Sequence, residues 1–257
     1  MSKVIAVANQ KGGVGKTTTS VNLSACLAAK GERVLMIDID PQGNSTSGVG
    51  INKKLLKKSI YDVLINDDDI NQVILKTAYE NLYICPSNIE LAGAEIELVA
   101  IMSREYRLKK SVESIEDTYD YIIMDCPPSL GLLTINALTC AHSILVPIQC
   151  EYYALEGLSQ LTNTVKQVKK YLNSNLDIEG VLLTMFDART NLSIQVVEEV
   201  KKYFPKKVYK TVIPRNIRLS EAPSFGQPII FYDPKSRGAE CYLELANEVI
   251  EYTKEVI

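Results

Sequence analysis

The segment KGGVGKTT, at positions 11–18, has the residue types and the spacing that bind a chain of phosphates. Its three glycines let the backbone approach an anion closely, and the N–H groups around them can form a concave nest for phosphate oxygens. We expect Lys16 to neutralise the β- and γ-phosphates, the Thr17 hydroxyl to bind Mg²⁺ and the Thr18 hydroxyl to contact the next phosphate. The predicted phosphate-binding residues are Lys11, Gly12, Gly13, Val14, Gly15, Lys16, Thr17 and Thr18.

This loop departs from the usual phosphate-loop pattern at one position. The pattern G-x-x-x-x-G-K-[ST] requires a glycine at position 10, where this chain has Gln10, and a second lysine, Lys11, follows it. An apolar run precedes the loop and a helical pattern follows it, which is the setting that a phosphate loop requires. A nucleotide site is therefore favoured over a glycine-rich turn without a ligand.

Acidic residues that could hold a metal ion or a water molecule follow two other apolar runs. Asp125 ends the run YIIMD before two prolines, which is the position of a Walker-B aspartate that holds a water of the Mg²⁺ shell. Asp38 and Asp40 follow the run VLMI and precede a turn at PQG. Ligands bind where the carboxyl ends of parallel strands converge. The predicted metal-site residues are Thr17, Asp40 and Asp125.

The elements that would position these residues alternate between short apolar runs and helical patterns. Apolar runs without polar alternation indicate strands that are buried on both faces of a parallel sheet. The predicted strands are Val4–Ala8, Val34–Ile37, Leu82–Cys85, Tyr121–Met124, Ser143–Val146, Gly180–Thr184 and Lys207–Tyr209. The predicted helices include Thr17–Lys30, Leu132–Ala141, Glu156–Asn173 and Ser193–Tyr203. We predict one α/β domain over residues 1–257, a doubly wound and mostly parallel sheet with helices on both faces, and a surface excursion at Ile51–Asp69.

Composition and charge narrow the class of protein. The chain has 257 residues, 46% of them hydrophobic, and a net charge of −3, so any nucleic-acid or membrane partner requires a local patch. Six scattered cysteines form no C-x-x-C pair, and His142 has no metal-ligand spacing around it, which indicates buried thiols in a reducing cytoplasm. No apolar run reaches the length of about 18 residues that a membrane span needs.

The motifs KGGVGKTT, DIDPQGNS and IIMDCPP together resemble those of the deviant Walker-A ATPases, the ParA, MinD and Soj group, over nearly the whole chain. The segment IPRNIRLSEAPSFGQPI resembles the partition branch of that group. The resemblance implies a P-loop fold, ATP and Mg²⁺ as cofactors, a homodimer when ATP is bound, and a slow ATPase that a ParB-type partner stimulates.

The same resemblance implies roles for individual residues. Lys11 would cross the dimer interface and contact the partner's nucleotide, as an arginine finger does in trans. Asp40 would activate or orient the attacking water. The implied catalytic residues are Lys11, Lys16 and Asp40, and the residues implied to frame the adenine are Pro214, Arg215 and Asn216.

A basic stretch suggests a second binding surface. The span 201–218 contains seven lysines and arginines and no acidic residue, in a chain that is acidic overall. The alternatives are a solvated surface and non-specific binding of double-stranded DNA through its phosphates. The resemblance favours DNA, and hence a location on the nucleoid. The predicted DNA-binding residues are Arg189, Lys201, Lys202, Lys206, Lys207 and Arg218.

Other functions share the lysine-bearing loop. A MinD-like membrane-associated ATPase would need a C-terminal amphipathic helix with a basic polar face. The tail ECYLELANEVIEYTKEVI has an apolar stripe with an acidic polar face, so we expect it to pack on its own domain rather than on a membrane. An iron–sulfur reductase would need cluster cysteines, and Cys85 and Cys126 lack the surrounding sequence. A bacterial tyrosine kinase would carry a tyrosine-rich tail, where this chain has Tyr242 and Tyr252.

Overall fold

A computed structural model describes residues 2–151 and 156–256. Its strands form one eight-stranded sheet in the order β3-β4-β2-β5-β1-β6-β7-β8, in which all neighbours are parallel except the pair β3 and β4. The strands are β1 (Lys3–Val7), β2 (Val34–Asp38), β3 (Leu75–Lys76), β4 (Leu82–Cys85), β5 (Tyr121–Asp125), β6 (Ser143–Gln149), β7 (Asp177–Phe186) and β8 (Val208–Pro214).

Eleven α-helices of very different lengths are found in the described part of the chain, together with short 3₁₀ turns. The helices are α1 (Lys16–Ala29), α2 (Asn44–Gly48), α3 (Ile60–Ile65), α4 (Leu91–Glu97), α5 (Arg107–Glu113), α6 (Leu132–Cys140), α7 (Glu156–Tyr171), α8 (Asn191–Tyr203), α9 (Ile217–Glu221), α10 (Ile229–Tyr232) and α11 (Arg237–Val256). Every predicted strand and helix is present. The two-residue edge strand β3 and the six short helices α2 to α5, α9 and α10 were not predicted.

Two hydrophobic cores explain why the central strands are apolar at every position. Successive residues of a strand point to opposite faces, so Val4 and Ala6 of β1 pack in one core and Ile5 and Val7 in the other. The first core lies between the sheet and helices α3 to α8, and the second between the sheet and helices α1 and α9 to α11. The predicted α/β sheet with helices on both faces is thereby confirmed.

The expected surface excursion at Ile51–Asp69 is wrong in its central part. Helix α3 lies within it, and Ile60, Val63 and Leu64 are buried in the first core. Ser59 and the third residue of the helix form a capping box. These apolar residues have the i, i+3, i+4 spacing of an amphipathic helix, but one turn and a half among charged residues gives a weak signal.

The C-terminal helix α11 packs on its own domain, as its apolar stripe predicts. Tyr242, Ala246 and Val249 are buried against α1 and β8. The Tyr242 hydroxyl lies 3.2 Å from the Thr19 hydroxyl of α1. No helix within the described ranges is long and apolar enough to cross a membrane. All six cysteines are buried free thiols, as predicted.

Candidate nucleotide-binding site

The ends of three adjacent strands place the predicted site residues side by side. Strand β5 lies between β1 and β2, and Asp125 at its end is in register with Val7 on one side and Asp38 on the other. The phosphate loop follows Val7 directly. Lys16 of the loop and the carboxylates of Asp38 and Asp125 are far apart in sequence, but they meet at the carboxyl edge of the sheet, where ligands of such folds bind.

The backbone of the phosphate loop has the conformation of an anion nest. Gly13 and Gly15 have φ angles of 73° and 91°, a region that side chains other than glycine rarely adopt. Helix α1 starts at Lys16, and no side chain caps its first N–H groups. Those groups and the positive end of the helix dipole are available to an anion.

Two polar side chains outside the loop fix its path. Asn9 accepts a hydrogen bond from the Lys11 N–H at 3.0 Å and donates one to the Pro147 carbonyl at 2.7 Å. The Thr184 hydroxyl of β7 donates to the Val14 carbonyl at 2.8 Å. Sequence reasoning missed Asn9 and Thr184. Each of these contacts joins residues that are far apart in the chain, and the sequence around them carries no sign of it.

Lys16 is a buried cation at the centre of the loop. Its side chain is only 7% exposed, and its Nζ donates to the Lys11 carbonyl at 2.9 Å. Burial lowers the pKa of Lys16, and the carboxylates of Asp125 and Asp40 partly offset that effect. A desolvated ammonium beside a ring of free N–H groups fits an anionic ligand such as a triphosphate.

Asp125 is fully buried among hydroxyl groups. Its carboxylate accepts hydrogen bonds from Ser20 at 3.1 Å and from Ser45 at 2.5 Å, and the Thr17 side chain is close enough to lower its pKa. Burial raises the pKa of Asp125 to about 6, and the hydroxyl groups oppose that shift. The structure therefore brings together Thr17 and Asp125, two of the three predicted metal-site residues.

The two aspartates of the DIDPQGNS motif have different environments. Asp38 is fully buried and accepts hydrogen bonds from the N–H and the hydroxyl of Thr46, at 2.8 and 2.7 Å, and from the Asp40 N–H at 3.2 Å. It therefore holds the turn and helix α2 in place. Burial, followed by repulsion from Asp125, raises the pKa of Asp38 to about 7.

Asp40 lies in the turn that Asp38 organises. Its carboxylate accepts a hydrogen bond from the Gln42 N–H at 2.9 Å, and its carbonyl accepts one from the Ser87 hydroxyl at 2.8 Å. Asp40 is close enough to Lys16 and Asp125 to affect the pKa of both. The site residues that sequence reasoning missed here are Ser20, Ser45, Thr46 and Ser87. Only Ser45 and Thr46, two hydroxyl residues that closely follow the PQG turn, could have been found from the sequence.

The donors fit Mg²⁺ bound together with a phosphate chain. Mg²⁺ usually keeps several waters and takes one or two protein ligands in addition to phosphate oxygens. Among the described residues, no group of three or more His, Cys, Asp or Glu side chains could hold a metal ion by itself. Thr17 and Asp125, with the phosphates supplying further oxygens, suit that incomplete kind of site.

A cavity of about 380 Å³ adjoins the start of α1 and could receive the rest of a nucleotide. It is bordered by Thr17 and Thr18, by α2 and by the segment 222–227. Pro214, Arg215 and Asn216 are not among its lining residues. Asn216 instead caps α9 through the Arg218 N–H at 2.8 Å, and the Arg215 guanidinium lies 3.4 Å from Glu151. Their predicted contact with adenine stays a prediction.

Lys11 is a half-buried residue at the start of the phosphate loop. Its backbone is engaged at both ends, because its N–H bonds to Asn9 and its carbonyl accepts from Lys16. Its contact with the nucleotide of a second protomer stays a prediction.

The predicted DNA-binding residues lie at two opposite edges of the sheet. Arg189 follows β7 and Arg218 follows β8, so both lie at the carboxyl edge, as the phosphate loop does. The four lysines precede β8 and lie at the amino edge: Lys201, Lys202, Lys206 and Lys207. Seven residues of β8 separate the two groups by about 20 Å. The basic stretch is continuous in sequence but not on the surface.

Most of these basic side chains already form exposed ion pairs. Arg189 lies 2.7 Å from Asp187, and Arg218 lies 2.8 Å from Glu221. Lys202 pairs with Glu199 and Lys207 with Asp177. Exposed pairs contribute little and exchange readily, so a phosphate can compete for each cation.

The fold and the loop define a phosphate-loop nucleoside triphosphatase of the deviant Walker-A class. The AAA-domain family AAA_31 matches residues 2–178. The sporulation initiation inhibitor protein Soj of Bacillus subtilis is 68% identical over 249 residues, which cover 97% of this chain and 98% of that protein. The chromosome partitioning protein ParA of Myxococcus xanthus is 54% identical over 98% of this chain and 89% of its own. The chain belongs to the ParA and Soj family of chromosome-partitioning proteins.

Solved structures agree with this assignment. Cobyrinic acid a,c-diamide synthase from Mycobacterium smegmatis, with bound ADP and magnesium, has a TM-score of 0.88 and 38% identity over 100% of this chain and 97% of its own. The cell division ATPase MinD of Pyrococcus furiosus has a TM-score of 0.81 and 26% identity over 98% of this chain and 99% of its own. The expected ATP and Mg²⁺ agree with the ATP analog and magnesium that are bound in another structure of this synthase, which has a TM-score of 0.88 and 38% identity.

Proposed function

We propose that this chain is an ATPase that dimerises with ATP bound, binds double-stranded DNA without sequence preference, and segregates a chromosome or plasmid together with a ParB-type partner. The observation that carries the ATPase is the buried Lys16 ammonium in a glycine nest, next to the strand that ends at Asp125. Relatives named Soj and ParA, which match almost the whole chain, support the role in partition. On this proposal the protein acts in the cytoplasm, on the nucleoid.

Each residue of the crevice has a distinct task in this proposal. Lys16 and the loop N–H groups bind the β- and γ-phosphates, and Thr17 and Asp125 would hold the Mg²⁺ shell. When bound, Mg²⁺ neutralises the charge that develops on the phosphates. Asp40 orients the attacking water. Asp38 is occupied by Thr46, so a single carboxylate is left for that task, which suits a slow basal rate that a ParB-type partner stimulates.

An exposed apolar surface supports the homodimer. Large apolar side chains on α4 and the turns around it are open to solvent: Ile89 (68%), Ile96 (78%), Val99 (58%) and Met102 (91%). This apolar stripe follows β4 at the carboxyl edge, next to the Ser87 contact with Asp40. Large apolar side chains that are exposed together on one short segment are typical of an interaction site. A second copy of the chain, placed so that Lys11 reaches its nucleotide, would cover it.

The position of two arginines supports DNA binding by the same dimer. Arg189 and Arg218 lie at the edge of the sheet that carries the nucleotide site, so dimerisation would align four of them on one side of the assembly. The lysines at the amino edge lie far from that surface. We therefore assign the main phosphate contacts to Arg189 and Arg218.

The alternative, a MinD-like membrane-associated ATPase, has less support. The relatives at 68% and 54% identity are partition proteins, whereas the MinD structure is 26% identical. The apolar residues of α11 that could enter a lipid surface, Tyr242, Ala246 and Val249, are buried in the domain.

The test is ATP hydrolysis by the purified protein with Mg²⁺, alone, with plasmid DNA of unrelated sequence, and with DNA plus a ParB-type protein. We expect slow turnover that rises most in the third mixture, and a doubled mass by light scattering with ATP but not with ADP. No turnover in any mixture would contradict the proposal. Pelleting with anionic vesicles in ATP, without retention on DNA, would favour the MinD-like alternative.

A further inference from the structure

Helix α6 is capped by a side chain from another helix. Its N-cap residue, Gly131, has no side chain to accept the first N–H groups. Glu95 of α4 supplies the missing acceptor: one carboxylate oxygen accepts from the Leu132 N–H at 2.9 Å and the other from the Leu133 N–H at 3.4 Å. A carboxylate at this end of a helix is favourable, because it satisfies unpaired N–H groups and interacts with the helix dipole.

Gly131 leaves the space that this contact needs. A Cβ atom at position 131 would lie 2.5 Å from one Glu95 carboxylate oxygen and 2.8 Å from the other, well inside van der Waals contact. Its φ angle of −77° is open to any residue, so the glycine is not required by the backbone. The close approach of Glu95 is the constraint at this position.

The capped end of α6 continues into a wall of the nucleotide site. The segment 126–131, which we call the Walker-B loop, connects Asp125 to α6. The Thr134 hydroxyl of α6 donates to the Ser129 carbonyl at 2.7 Å, so the first turn of the helix holds the loop. Pro128 lies against the phosphate loop, since a Cβ atom on Gly12 would be 3.9 Å from the Pro128 Cβ.

We propose that Glu95 is a positioning residue for ATP turnover: by capping α6 from α4, it holds the Walker-B loop against the phosphate loop. Glu95 touches neither the phosphate loop nor the acidic residues, so it acts through the backbone of α6. Ile96, the next residue of α4, belongs to the apolar stripe, so a partner that covers the stripe would also stabilise the cap. The inference thus rests on the proposed ATPase and links its dimer surface to its site.

The variant Glu95→Ala tests the proposal. We expect kcat to fall about tenfold, because misplacement of catalytic groups by fractions of an ångström is costly. KM for ATP should stay within about twofold, because Lys16 and the loop N–H groups still bind the phosphates. Glu95→Gln keeps one acceptor oxygen and should recover part of the rate. Assays are run well below the melting temperature of each variant, which separates turnover from stability.

Glu97→Ala is the matched control. It removes the same charge from the same helix, but Glu97 accepts a hydrogen bond from the Tyr61 hydroxyl at 2.9 Å and does not reach α6. We expect wild-type kcat. Equal rates for Glu95→Ala and the wild-type protein, or equal losses in both Glu variants, would overturn the proposal.

A double-mutant cycle tests the geometry independently of the rate. Gly131→Ala should displace Glu95 and reproduce the effect of Glu95→Ala, and the double variant should be no worse than either single variant. Additive losses would show that the two residues act separately and would overturn the proposal.

Hydrogen exchange separates this inference from the proposed function. With Mg²⁺ and ADP bound, the N–H groups of Leu132 and Leu133 should exchange at least about tenfold faster in Glu95→Ala than in Glu97→Ala. If the wild-type protein hydrolyses no ATP, the proposed function fails. Equal exchange in the two variants would overturn the cap, whether or not the protein hydrolyses ATP.

Discussion

Charged side chains act in opposite ways in two regions of the molecule. One is the nucleotide crevice, formed by the phosphate loop with Asp38, Asp40 and Asp125. The other is the basic surface, by which we mean the two separate groups of basic residues, Arg189 with Arg218 and the four lysines. In the crevice, Lys16, Asp38 and Asp125 are buried, and each contacts hydrogen-bonding groups that come from other elements. On the basic surface, the side chain of Arg189 is 87% exposed, and its partner Asp187 is two residues away. Buried charges interact strongly with few partners, whereas exposed charges interact weakly with many.

This contrast predicts where single substitutions matter. A change in the crevice should have a large effect on one step, since no water replaces the lost contact. A change on the basic surface should have a small effect that adds to those of its neighbours. The following experiments test this difference, beginning with the largest expected effect.

Lys16→Ala should weaken ATP binding by about a hundredfold or more, because a charged hydrogen-bond donor to the phosphates is lost from a desolvated site. Titration calorimetry with a non-hydrolysable ATP analogue and Mg²⁺ measures this. Lys11→Ala is the control: its side chain is assigned to the partner's nucleotide, so the affinity of a dilute monomer should stay within about threefold. Similar losses in both variants would show that the two lysines serve the same phosphates.

The second test uses the pH dependence of stability without nucleotide. Burial raises the pKa of Asp38 to about 7 from an ordinary value of 3.8, so the folded state binds a proton more tightly than the unfolded state. Between these values the free energy of unfolding must fall as the pH rises, by about 1.4 kcal/mol for each unit of pKa difference. Stability from this group is therefore present below pH 4 and is lost as the pH approaches 7.

Asp38→Asn should remove much of that dependence, since it also relieves the repulsion on Asp125. We expect the change in unfolding free energy between pH 4.5 and 7.5, measured with urea, to shrink by about 2 kcal/mol. Asp187→Asn is the control on the exposed side. The Arg189 guanidinium lowers the pKa of Asp187 to about 2, so its titration lies below this pH window. If the unfolding free energy of Asp38→Asn changed with pH as much as that of the wild-type protein, Asp38 would be ionised throughout this pH window.

The same contrast explains how much could be predicted from sequence. The central strands and the phosphate loop were predictable because each has a local signature: apolar residues at every position, and glycines before Lys16 and Thr17. The role of Asp38 was not, because it depends on the turn that returns Thr46 to it across eight positions. The cap from Glu95 is a contact over 37 positions and has no local signature.

The basic stretch shows how a correct local observation can mislead about a surface. Its residues follow one another in sequence, but α8 runs back across the sheet and β8 returns, so the lysines and Arg218 are left at opposite edges. Basic residues that follow one another in sequence lie together on the surface only where the chain does not reverse its direction. That reversal is a property of the sheet topology, which the alternation of strands and helices does predict.

The divided basic surface leads to the third test, binding of the ATP-bound protein to duplex DNA at several salt concentrations. Arg189→Ala removes two phosphate contacts from a dimer, so the slope of log K against log salt should become shallower by roughly 1.8, at about 0.9 for each phosphate. Arg218→Ala should behave alike, and both should weaken binding equally for all sequences. Lys206→Ala, at the amino edge, is the control and should leave the slope unchanged. If Lys206→Ala reduced the slope as much as Arg189→Ala does, DNA would have to contact both edges of the sheet.

The smallest effect concerns the partner of Arg189. The Asp187 carboxylate lies 2.7 Å from the Arg189 guanidinium, so it would compete with DNA phosphates for that cation if the proposed DNA contact is made. Asp187→Asn removes the competing charge, so DNA should bind about two- to fivefold more tightly, as expected for the loss of an exposed ion pair. Glu199→Gln, which releases Lys202 at the amino edge, should leave the affinity unchanged. Weaker binding in Asp187→Asn would show that the carboxylate orients Arg189 rather than competing for it, and an exposed pair would then matter through geometry, as the buried ones do.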